Sequence, residues 1–64
     1  MKEEKHEVNI KETLVEWFTA KGEKHSMMLW QRGLTNAELT ELRVHGTKLG
    51  CRTKVTTVRE EVFL

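Results

Sequence analysis

Apolar and polar positions along the chain fall into four patterned stretches divided by polar segments that contain glycine. The stretch WQRGLTNAELTEL, residues 30–42, carries the clearest signals. Thr35 followed three positions later by Glu38 has the spacing of a capping box, in which hydroxyl and carboxylate each take a free backbone N–H of the first turn. Leu34 before the cap and Leu39 inside the helix have the spacing of a hydrophobic staple. With Gly46 read as a left-handed stop after Val44 and His45, these signals predict a helix over 36–45.

Residues 8–20 admit two readings. Asn9 and Glu12 imitate a second capping box, and Ile10, Leu14, Trp17 and Phe18 fall on one face of a helix. The segment TLVEWFT is instead rich in β-branched and aromatic residues, and AKGEK is a glycine-containing turn that leads into HSMMLWQ. The β-hairpin is the reading adopted, with an N-terminal helix as its alternative. After the central helix, GTKLGC connects to a final strand, RTKVTTVREEVFL, with a bend expected at Thr56 and Thr57. The expected fold class is α+β: a small three-stranded antiparallel sheet, built as hairpin, helix and strand, with one principal helix. Residues 1–7 mix charges without periodicity and are expected to be a disordered end, leaving 8–64 as a single small domain.

Strand alternation puts Leu14 and Phe18 on one side of the first strand and Val15 and Trp17 on the other. Met28 and Trp30 likewise oppose Met27 and Leu29, and Val55 opposes Val58. Both sheet faces are therefore apolar, and one helix covers only one of them. Leu39 and Leu42 should meet the sheet, which leaves Ala37, Thr40, Glu41 and Val44 as an outward strip.

Size and charge narrow the function. A chain of 64 residues buries only about 60% of its unfolded surface, so a homodimer, or a monomer stable only with its partner, is expected. Eleven basic and ten acidic residues give a net charge of +1, so any electrostatic recognition must be local. The lone Cys51 excludes an intrachain disulfide and fits a reducing, cytoplasmic setting. No stretch is long and apolar enough for a membrane span. His6, His25, His45 and Cys51 lack metal-site spacing, and no nucleophile elbow, phosphate loop or paired carboxylates stand on a recognisable scaffold, so neither a metal, a cofactor nor catalysis is expected.

What remains is binding. Trp17, Met27 and Val44 are the apolar candidates for a protein interface, with Ala37, Thr40, Glu41 and Arg43 around them. Lys48, Arg52, Lys54 and Arg59 form the alternative, a basic strand that tracks phosphates.

Over residues 13–60, the glycine hairpin turn of GEKHSMMLWQRGLTNAEL, its apolar second strand, Gly-Leu, the Thr-started acidic helix and the final strand together resemble the small dimeric inhibitors of uracil-DNA glycosylase made by Bacillus phages. A similar layout occurs in phage inhibitors of host RNA polymerase. The resemblance implies a phage-type protein that binds and inhibits a host enzyme handling DNA or RNA, uracil-DNA glycosylase being the specific expectation. In the glycosylase inhibitors a Phe-Glu pair and a Tyr on the helix make the contact. Leu39, Thr40 and Arg43 hold those positions here.

Overall fold

The computed structural model describes residues 6–63. Three strands and one helix follow the chain as β1 (His6–Phe18), β2 (Lys24–Trp30), α1 (Asn36–Lys48) and β3 (Arg52–Phe63). The fold is α+β, with an antiparallel sheet of order β2-β1-β3. The N-terminal segment is thus the central strand of the sheet rather than a helix. The expected disordered end falls partly on residues 1–5, outside the described residues, whereas His6 and Glu7 belong to β1 and pair with Phe63 and Val62.

A tight turn closes the β1–β2 hairpin. The Gly22 N–H donates to the Thr19 carbonyl at 2.9 Å, and Gly22 takes the left-handed φ of +85° that such a turn asks of glycine. From there β1 pairs with β2 only as far as Thr13 opposite Trp30, while it pairs with β3 along its whole length. The chain is accordingly elongated, at 54 × 21 × 18 Å.

Residues directly opposite one another share a face. Thr13, Val15 and Trp17 face the same way as their partners Trp30, Met28 and Ser26 on β2 and Thr57, Val55 and Thr53 on β3. Among the β1 residues whose burial is described, these three side chains are the buried ones. A β-bulge at Lys11, between the pairs Ile10–Arg59 and Glu12–Val58, adds one residue to β1. The extra residue turns Ile10 to the side that holds Thr13 and Val15, and Ile10 packs near Gly33 there. The bend expected at Thr56 and Thr57 is absent from β3, which stays in register through both. The irregularity belongs to the partner strand.

The start of α1 forms as its spacing indicates. The Glu38 N–H donates to Thr35 Oγ1 at 3.1 Å, and the Thr35 N–H donates to Glu38 Oε1 at 3.0 Å. Arg32 adds a two-pronged clamp, donating from Nη1 and Nη2 to the same carboxylate at 3.0 and 2.6 Å. Thr13 Oγ1 in turn donates to the Arg32 carbonyl at 2.8 Å, which ties this cap to the centre of the sheet.

The helix end is elsewhere than expected. Gly46 lies inside α1 with a negative φ, and the left-handed glycine is Gly50, φ +71°. The Cys51 N–H donates to the Gly46 carbonyl at 2.8 Å and the Gly50 N–H to the Thr47 carbonyl at 3.0 Å, the two bonds of a Schellman motif. Gly46 serves packing instead. It is the buried residue of α1, and a Cβ there would overlap Thr53 Oγ1 and lie 2.7 Å from Trp17 Cδ1 and 2.9 Å from Nε1. The missing side chain lets the helix backbone rest on the indole. Trp17 Nε1 donates to the Leu42 carbonyl at 3.2 Å, and the His45 ring meets the indole edge-on at 5.3 Å.

Two expectations follow. Gly46→Ala should destabilise by about 1–3 kcal/mol through overpacking, although alanine is the better helix former by about 1 kcal/mol. A urea titration measures the sign. Glu38, held down to about 2 chiefly by the Arg32 hydrogen bonds and then by the Thr35 N–H, gives a pH-dependent contribution. Because the folded value lies below the ordinary 4.5, this contribution is complete above about 4.5 and is lost as pH falls towards 2. Thermal melts between pH 6 and 2 should show less loss over that window in Glu38→Gln, and the difference should shrink at high salt because the pair is exposed.

Candidate functional site

The seven residues that the sequence nominates for partner binding divide between two opposite surfaces and the core. Trp17 is only 1% exposed, wedged under α1, so it is a structural residue and no interface anchor. The alternation that paired it with Val15 was right. What alternation alone does not say is which sheet face the helix takes.

The first surface is the outer side of α1. Ala37, Thr40, Glu41, Arg43 and Val44 are all exposed there, Val44 at 48%. Leu39 and Leu42 are half-buried on the side turned to the sheet. Thr40, Glu41 and Val44, with His45 and Lys48, line a shallow depression of about 290 Å³. Its floor is rigid because α1 is fixed at one end by the Thr35–Glu38–Arg32 cap and towards the other by the Trp17–Gly46 contact. A depression with one apolar side chain, flanked by a carboxylate and an ammonium, suits a small apolar anchor with a polar rim. His45 and Lys48 were not among the nominated anchors. The spacing 41, 44, 45, 48 on one helix would have grouped them.

The second surface is the sheet face that α1 leaves bare. Met27 lies here at 50% exposure, across from Glu16. Leu29 (54%) sits opposite Leu14, and Val58 (51%) opposite Glu12. Phe18, half-buried, stands beside Arg52 at one end. Lys24 Nζ reaches Glu16 Oε2 at 2.9 Å, a pair whose carboxylate is largely sheltered. Leu14, Leu29 and Val58 complete an apolar centre that the sequence nomination represented by Met27 alone. The period of two already placed Leu14 and Leu29 on the faces they occupy.

The basic set does not form one strip. Arg52 and Lys54 are exposed on the bare face, but Arg59, an odd number of positions further along β3, pairs with Ile10 and projects to the helix side. Lys48 stands in the last turn of α1. A regular strand alternates, so a ribbon of phosphates laid along one face would miss Arg59. Arg52 instead shares a second shallow depression with Arg43, Thr47, Cys51 and Thr53.

Among the described residues no group of three or more His, Cys, Asp or Glu side chains comes together as a metal site would need, and no helix is long and apolar enough to cross a membrane. The chain matches no protein-family model, no curated protein and no solved structure.

If these surfaces are free for binding, their substitution should leave the fold intact. Val44→Asp and Thr40→Arg should each change stability by no more than about 0.5 kcal/mol. Val15→Ala, at a position with no exposure, should cost about 1–3 kcal/mol. Thermal melts of the three variants compare the sites directly.

Proposed function

We propose that the protein acts by binding another protein through the outer face of α1, and that its target is a host enzyme handling DNA or RNA, which it inhibits. The observation that carries this reading is Val44, exposed at 48% and lining a depression on a helix anchored by its cap and by the Trp17–Gly46 contact. An exposed apolar side chain on an anchored helix supplies an apolar centre, and Thr40, Glu41, His45 and Lys48 give it a polar rim. Ala37 and Arg43 extend the surface along and beside it.

The layout of hairpin, helix and strand is the one that the phage-inhibitor resemblance implies. Within it, uracil-DNA glycosylase is the specific target, and host RNA polymerase the alternative. The contact chemistry would differ from that of the glycosylase inhibitors, because Leu39, at the position of their Phe, turns half-buried towards the sheet here. Thr40 and Arg43 remain outward, so the contact moves round the helix to the Val44 side.

The test is a pull-down from bacterial lysate with wild type and Val44→Asp, beside a gel shift at low and high salt. One retained host enzyme, lost with Val44→Asp and unaccompanied by a DNA shift, supports the reading. A shift that weakens steeply with salt, unaffected by Val44→Asp, would favour nucleic-acid binding through Arg52 and Lys54. Titrating the protein into a uracil-excision assay decides the specific target: activity should fall to baseline at stoichiometric amounts, and unchanged excision removes the glycosylase.

A further inference from the structure

We infer that the bare sheet face is the seat of a two-fold dimer, each copy covering the other's Leu14, Leu29 and Val58. This reading is independent of the target proposed for α1, which lies on the opposite side of the sheet.

Charge decides the occupant. Across the bare face, the end beside the β1–β2 turn carries Lys24, Arg52 and Lys54 against the single carboxylate of Glu16. The other end carries Glu12 and Glu60 against Lys11, whose contact with Glu60 is a loose 4.0 Å between half-exposed groups. Between them lies the row of Leu29, Leu14 and Thr56, in which Leu14 on the central strand pairs with both of the others. One face is therefore positive at one end, negative at the other and apolar in the middle. Such a face is complementary to itself when a second copy lies on it with its strands reversed.

The register makes the match specific. Arg52 and Glu60 stand four positions either side of Thr56 on one uninterrupted strand. A two-fold axis lying between the sheets, across the strands at the Thr56 row, sets Arg52 of each copy against Glu60 of the other. The same operation puts Leu14 on Leu14 and Leu29 on Leu29, the usual contact of two aligned sheets about 10 Å apart. It also brings Glu16 towards Glu12 of the second copy. Glu16 is the carboxylate already held by Lys24 and flanked by its cross-strand neighbour Lys54, so this approach is neutralised from within. The product would be a four-layer stack, helix, sheet, sheet, helix, with both α1 outer faces turned outward.

The experiment is sedimentation equilibrium at micromolar concentration on the whole chain, with circular dichroism to show that each variant is folded. Wild type should be a dimer, and Leu29→Asp a folded monomer. Arg52→Glu and Glu60→Arg should each raise the dimer dissociation constant about tenfold or more, and the double exchange should recover most of that loss. A wild-type monomer overturns the inference. So does a dimer that Leu29→Asp leaves intact, which would place the contact at a strand edge, or a double exchange no better than the single changes. Because Leu29 is remote from Val44, loss of the dimer with retained capture of the target separates this inference from the proposed function.

Discussion

The contact between the α1 backbone and the Trp17 indole is what the rest of the molecule depends on. A chain this small has few side chains to bury, and among the described residues only Thr13, Val15, Trp17 and Gly46 are buried. Helix and sheet must then approach closely to exclude water, and Gly46 removes the Cβ that would hold them apart. The indole fills the space and its N–H satisfies the Leu42 carbonyl, so the largest buried ring leaves no orphaned polar atom. Position follows from this contact: the outer face of α1 is defined by what its inner face has engaged, and the bare sheet face is the one that Trp17 does not occupy.

Local rules were enough wherever the determining partners lie within a few residues. The Thr35–Glu38 box is legible because both groups and both N–H donors sit in one turn. The alternation of strand faces is legible because the pleat imposes it. Gly46 was misread for the complementary reason. A glycine after a run of helix formers looks like a left-handed stop, and the nearby Gly50 serves that purpose, while the reason for Gly46 comes from Trp17, 29 positions earlier in the chain. The bulge at Lys11 is likewise invisible locally, since it exists only relative to β3.

The same distinction explains the fate of the nominated site. Val44, Thr40, Glu41 and Met27 are where a periodic reading places them, exposed, but periodicity is silent on which face meets the helix. Trp17 was lost from the set for this reason, whereas Arg59 was separated from Arg52 and Lys54 by the alternation itself, which its odd spacing along β3 implies. An apolar residue gains meaning as an anchor only after the core has taken its share.

The strand order carries a consequence for the time course of folding. The central strand is β1, yet its longer partner is β3, so Val15 meets Val55 only after the hairpin and the helix between them have been spanned. The β1–β2 turn and the capped helix can form from neighbours within microseconds, whereas closing so long a loop has an entropic cost that no local contact offsets. Until β3 arrives, Trp17 has half a sheet beneath it and α1 has little to rest on. Formation of the β1–β3 ladder should therefore be the slow step, and the burial of Trp17, complete only when that ladder and α1 close over it, reports it beside the second tryptophan, Trp30.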